Sequence, residues 1–172
     1  PRGKKGRGER PRGMDNGHTD TGAYVILFRL GDRTQVTVGR LGSFVLEAGL
    51  YAYVGSAMNG LGARTDRHLR GGERKHWHID HLLPLSSERT ALLVPSKEDI
   101  ECRVAEVVQG WEGTSMPIKG FGSSDCHCLS HLFCLSEDGT QHLAHRLSSC
   151  LGEKEVLIVG PLEHEICPLP HS

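Results

Sequence analysis

Residues 49–70 read GLYAYVGSAMNGLGARTDRHLR. Apolar residues alternate around Tyr51 and Tyr53, as in a strand, and Gly55-Ser56 turns the chain into a helix. Asn59 is placed to cap that helix from about Gly60 to Arg70, Gly60 and Gly62 weaken its first turn, and Gly71-Gly72 ends it. Arg64, Arg67, His68 and Arg70 then fall within two turns. Tyrosines at a strand end, followed closely by helical arginines, suit a site that handles phosphate. A phenol beside a cation can act as a base, and a guanidinium neutralises charge building on a phosphoryl group.

Upstream, AYVILFRL (23–30) is rich in β-branched and aromatic residues and reads as a strand buried on both faces. Gly31-Asp32 turns it into TQVTVGR, and SFVLEAG leads on to LYAYVG, which predicts an antiparallel meander of three or four strands. Downstream, HWHIDHLL is a short helix or turn stopped by Pro84, and RTALLVP is a strand. Glu98 to Gln109 is an amphipathic helix with Ile100, Val104, Val107 and Val108 as its core stripe. SHLFCLS is a strand, QHLAHRLSSCL a helix and EVLIVG a strand. Strands and helices mix without strict alternation, so the fold class is α+β: a small, mostly antiparallel sheet with flanking helices.

The 172 residues allow one ordinary domain, and 37% apolar with 24% charged residues is a soluble globular composition. No apolar run approaches the ~20 residues of a membrane helix, no signal peptide precedes the first strand, and a cytoplasmic protein is expected. Residues 1–13 hold six Lys/Arg against Glu9 alone, a tail of +5, whereas the rest has 14 basic and 20 acidic residues, −6. Residues 1–20 therefore read as a disordered basic arm, 21–135 as the domain, and 136–172 as a helix-strand extension packed on it. An acidic body argues against strong nonspecific nucleic-acid binding. The face for a polyanion is the cluster of Arg64, Arg67, Arg70, Arg74 and Lys75, whose rival reading is a solvated helix face. Six cysteines in a reducing compartment point to buried thiols or a metal rather than a disulfide framework.

Gly22-Ala23-Tyr24 and Tyr53-Val54-Gly55 resemble the paired tripeptides of the GIY-YIG nuclease superfamily. With L-x-x-R-x-x-R-H-L, HWHID-x-L, E-C-x-x-A and GFGSSDC-x-C-x-S-H-L, residues 22–135 are similar to its Uri-type branch, a small archaeal and bacterial domain of unknown function. The resemblance implies metal-dependent endonuclease activity on DNA, single-stranded or structured, in repair or processing. It implies an active site of Tyr24, Tyr53, Arg64, His68 and Glu101, with Arg67, Arg70, Arg74, Lys75, His76 and His78 contacting nucleic acid. Glu101 would hold Mg²⁺ or Mn²⁺, since magnesium keeps several waters and one carboxylate suffices. Tyr53 would be the general base, Tyr24 would orient the nucleophile, Arg64 would clamp phosphate, and His68, four residues on, would shuttle a proton.

Each residue has a plainer reading. Tyr24 fits an apolar core, Tyr51 shares a face with Tyr53, and Glu101 fits a solvent-side helix position. His76-Trp77-His78-Ile79-Asp80-His81 is either a metal site or an anchor around Trp77 that shapes the substrate groove; the anchor is preferred. Cys126, Cys128, His131 and Cys134 offer four donors zinc favours, but so tightly spaced that buried thiols with a hydrogen-bonded histidine are preferred. Many GIY-YIG nucleases carry an asparagine a dozen residues after the glutamate. Residues 110–114 contain none, leaving Ser123, Ser124 or Asp125 as substitutes. The alternatives to a nuclease are a non-catalytic nucleic-acid-binding module of the same fold and a zinc-stabilised interaction domain.

Overall fold

A computed structural model describes residues 20–71, 74–136 and 140–160. The basic stretch 1–19 and the terminal segment with Cys167 lie outside the described residues. Chain order is β1 (Gly22–Leu30), β2 (Thr34–Val38), β3 (Gly42–Leu46), β4 (Gly49–Ala57), α1 (Leu61–Arg70), β5 (Ser87–Pro95), α2 (Glu101–Gln109), β6 (Leu132–Leu135), α3 (Thr140–Cys150) and β7 (Leu157–Val159). Short 3₁₀ turns occupy Gly39–Leu41, His78–His81 and Leu83–Leu85. The architecture is α+β. Among the described residues, no helix is long and apolar enough to cross a membrane.

Five strands form an antiparallel sheet in the order β6-β4-β1-β5-β7. Strands β1 and β4 are central, so both their faces must be apolar, and the alternation sorts them. Tyr24, Ile26, Phe28, Leu30, Tyr51 and Tyr53 face one core, while Ala23, Val25, Leu27, Ala52 and Val54 face the other. Leu61 of α1, Val36 and Val38 of β2, and Ile79 and Leu82 cover the first face. Val104 and Val108 of α2, with Leu143 and Leu147 of α3, cover the second.

The meander is corrected in one respect. Among the described residues, strands β2 and β3 pair only with each other, and β4 returns to lie directly against β1. In β2 only Val36 and Val38 are buried, while Gln35 and Thr37 are exposed. That one-sided pattern suits a ribbon folded over a core and not a central strand. The extension of 136–172 is integral where described, since β7 adds an edge strand beside β5 and α3 packs with α2.

The start of α1 also differs from expectation. Strand β4 runs through Gly55-Ser56 to Ala57, and Gly60 in the left-handed region (φ 74°) precedes the helix with no side-chain cap from Asn59. Asp20 does that work: its carbonyl accepts from the Leu61 amide at 3.0 Å and its carboxylate from the Gly62 amide at 3.1 Å. Asp20 thus belongs to the folded domain and not to the arm. At the other end, the Arg89 guanidinium of β5 donates to the Leu83 carbonyl and, at 3.4 Å, to the His68 and Leu69 carbonyls, holding the end of α1 to the sheet.

Candidate active site

Alternation along β1 and β4 puts Tyr24 and Tyr53 on the α1 face as diagonal neighbours, since Tyr24 pairs with Gly55 and Tyr53 with Ile26. Their ring centroids are 6.5 Å apart. Gly55 explains why the tripeptide ends in glycine: a Cβ there would lie 2.4 Å from the Tyr24 hydroxyl oxygen, so the ring crosses that strand only over bare backbone. Gly122 (φ 69°) does the same for Tyr53, with a Cβ falling 2.8 Å from its ring edge. Tyr51 stands apart. It stacks on Phe28 and its hydroxyl donates to the Glu47 carbonyl, so it is a core residue.

Helix α1 buries Leu61, Thr65 and His68, one stripe at i, i+4 and i+7. His68 therefore faces the tyrosines, and its Nε2 is 3.0 Å from the Tyr24 hydroxyl. Burial is the main cause that lowers the His68 pKa to about 4, with Asp80 opposing and Arg67 and Arg64 reinforcing. The imidazole is neutral at pH 7. With the Tyr24 hydroxyl as donor, Nε2 accepts and Nδ1 carries the hydrogen, 3.9 Å from Asp80 Oδ1 and too far for a hydrogen bond. Both phenols are buried, and burial raises each well above the ordinary phenol range. Arg64 opposes that rise and Glu101 adds to it at both rings, so the charged groups bear on the same pair.

Glu101 reaches this site because β5 ends at Pro95, opposite Gly22, which places the start of α2 at the Tyr24 end of the sheet. The helix begins at Glu101, later than the expected Glu98, and the Asp99 carboxylate accepts from the Glu101 amide at 3.2 Å. Glu101 is pushed up to about 7 by partial burial, then by Asp99 and Asp125, with Arg64 opposing. Tyr24, Tyr53 and His68 are thus in mutual contact, and Arg64 and Glu101 act on both phenols through their charge.

The His76–His81 block is the anchor. Asp80 accepts from the His76 and Trp77 amides at 2.8 and 2.9 Å, and Trp77 carries the Arg64 and Arg67 guanidiniums at 4.9 and 4.5 Å from its ring centroid. The histidines do not converge on a shared metal position among the described residues. Of the nucleic-acid-binding candidates, Arg70, Arg74, Lys75 and His76 are exposed, although Arg70 pairs with Asp66 at 3.1 Å. Arg67 and His78 are partly buried and also make contacts within the fold. Arg67 donates to the Arg74 carbonyl at 2.9 Å, and His78 Nδ1 accepts from the Gly122 amide at 2.8 Å.

The cysteine set is also corrected. Cys126, Cys128 and His131 gather with Cys102 of α2, not with Cys134, and their ligand atoms all lie within 4.8 Å of one another. Cys134 sits in β6 opposite Tyr51 and packs on the tyrosine face of the sheet, whereas Cys128 packs on the other face. The group is a candidate metal-binding cluster.

Burying neutral His68 predicts a pH dependence. An unfolded chain protonates this histidine near pH 6.5 and the folded one near 4, so the unfolded state holds the extra proton between those values. The stabilisation is complete above about pH 6.5 and declines as pH falls through this window, by up to about 3 kcal/mol for this group. Denaturant midpoints from pH 7 to 4.5 should fall less steeply in His68→Gln than in wild type. Equal slopes would contradict a buried neutral imidazole.

No curated protein matches the chain, and no solved structure does. Residues 23–152 match the model of the domain of unknown function DUF123, a span reaching from β1 through α3. With the greater part of its length so matched, the chain belongs to the DUF123 family.

Proposed function

We propose that the chain is a metal-dependent endonuclease of the GIY-YIG type that hydrolyses DNA phosphodiesters. The observation that carries this reading is the buried Tyr24–His68 hydrogen bond with Arg64 and Glu101 acting on the same phenol. A buried phenol is a poor base alone, because its anion is disfavoured. Joined to a neutral imidazole it can pass its proton to His68 Nε2 as it takes one from the attacking water. Asp80, near His68 Nδ1, favours the imidazolium that forms. These contacts support Tyr24 for the base role given to Tyr53 by sequence, and leave Tyr53 to pack against His68 and Phe121 and shape the floor.

Arg64 supplies the planar fork for phosphate oxygens. Glu101 suits Mg²⁺ or Mn²⁺: its side chain is partly exposed, and Asp99 and Asp125 add negative charge that a hard divalent cation would offset. Bound by Glu101, such an ion would supply charge relief at the phosphoryl and leaving oxygens. The cysteine cluster takes no part in that step, since thiolates select softer ions. Arg70, Arg74 and Lys75 beside α1 are the phosphate-tracking surface, and single-stranded or structured DNA is the substrate by resemblance.

A panel of end-labelled single-stranded, duplex, flap and junction DNAs tests the proposal. Cleavage is expected with Mg²⁺ or Mn²⁺ and none with EDTA. DNA binding without cleavage would make this a non-catalytic binding module. Neither binding nor cleavage would favour the interaction domain.

A further inference from the structure

We propose that Cys102, Cys126, Cys128 and His131 form a closed zinc site that ties the first turn of α2 to the loop before β6 and orients Glu101. Zinc–sulfur bonds of about 2.3 Å and zinc–nitrogen bonds of about 2.0–2.1 Å fix the edges of a tetrahedron at about 3.6 Å from sulfur to nitrogen and 3.8 Å between sulfurs. Cys126 Sγ lies 3.5 Å from His131 Nε2, already at that edge length. With all four ligand atoms within 4.8 Å, the remaining edges need shifts of about an ångström or less. The three cysteines are free thiols, and three sulfurs with one imidazole are a donor set that selects zinc over magnesium or manganese. Four protein ligands leave no open position, so the ion is structural.

Two further observations fit a metal there. Residues 110–131 contain no helix or strand, a long irregular stretch for a compact domain. Its end is pinned by short backbone bonds, Gly120 amide to Leu129 carbonyl at 2.7 Å and His131 amide to Phe121 carbonyl at 2.8 Å. These close the loop and hold Cys126 and Cys128 toward α2, while the intervening His127 is exposed. In addition, the His131 side chain is fully buried, yet its Nδ1 has no hydrogen-bond partner and lies 3.7 Å from Glu101 Oε1. A metal on Nε2 fixes the proton on Nδ1, and a small closure makes the carboxylate–histidine–zinc arrangement common around zinc. One Glu101 oxygen would then be held by His131, leaving the other for the tyrosine site. The zinc site stands whether or not that tyrosine site cuts DNA.

The full chain, purified reduced in zinc-supplemented medium, should carry about one zinc per chain by elemental mass spectrometry. Cys102→Ser should lower that content at least about tenfold, and Cys134→Ser should leave it unchanged. Chelation should lower the melting temperature of the wild type, with zinc but not magnesium restoring it. Because Cys102→Ser can fail to fold, Co²⁺ is also titrated into chelated wild type. Thiolate charge-transfer absorption with tetrahedral d–d bands, displaced by zinc, is expected. Glu101→Gln should keep the stoichiometry at saturating zinc while weakening affinity about 10- to 100-fold. Wild type that takes up neither zinc nor cobalt, a cobalt spectrum without thiolate bands, or zinc kept by Cys102→Ser and lost by Cys134→Ser would each overturn the site.

Discussion

Tyr24→Phe should slow DNA cleavage by about 10²–10⁴-fold, the usual range for a positioned acid–base group. The hydroxyl lies 3.0 Å from His68 Nε2, and removing it breaks the proposed path by which the attacking water would lose its proton. His68→Gln should have an effect of similar size. The decisive measurement is the double variant. Independent groups would multiply their losses, whereas two halves of one relay lose the same step once, so the double should be no slower than the worse single. Tyr24→Phe also leaves a buried imidazole nitrogen unsatisfied, and a stability loss of about 1–3 kcal/mol is expected. Rates must therefore be read well below the melting transition. If Tyr24→Phe cuts at the wild-type rate while Tyr53→Phe is dead, the base is Tyr53 and the hydrogen bond is architectural.

The tyrosine pair was legible because a strand period of two leaves no freedom: residues 24, 26 and 28 share a face, and so do 51 and 53. That same rule could not separate Tyr51 from Tyr53. Only position along β4 does so, putting Tyr51 beside Phe28 and Tyr53 beside His68. Glycine at 55 was legible as a pattern, but its reason, a ring lying across bare backbone, exists only in three dimensions. Cys102 was hidden by the long stretch separating it from Cys126, since linear spacing carries no signal for ligands brought together by packing. The error over Cys134 had a detectable signal. In LFCL, Cys134 alternates with Phe133 and Leu135 and shares the face of Leu132, the tyrosine side of the sheet. Asp20 was missed as a cap because its partners lie about forty residues on, across the hairpin.

Arg64→Lys should lower cleavage by about 10²–10³-fold while changing DNA affinity far less. The charge survives this substitution, so what is tested is the fork. One Arg64 nitrogen donates to the Ser56 carbonyl at 2.7 Å, and the guanidinium plane rests on Trp77. Those two contacts hold the guanidinium in place, and the remaining N–H groups are the ones proposed to meet the phosphate. A lysine ammonium has no plane to stack and cannot hold Ser56 while presenting two parallel donors, so it keeps attraction and loses geometry. The loss should appear in kcat with KM nearly unchanged, the signature of an interaction made in the transition state. Trp77→Ala removes the ring under both arginines and the edge contact with His68, and should cost about tenfold, again in kcat. Arg70→Ala is the control, since Arg70 is exposed and paired with Asp66; it should weaken binding at higher salt without altering kcat. Equal losses in affinity and rate for Arg64→Lys would make Arg64 another member of the electrostatic surface. A wild-type rate would remove it from the site, because a phosphate clamp that tolerates lysine does not depend on the geometry that Ser56 and Trp77 impose.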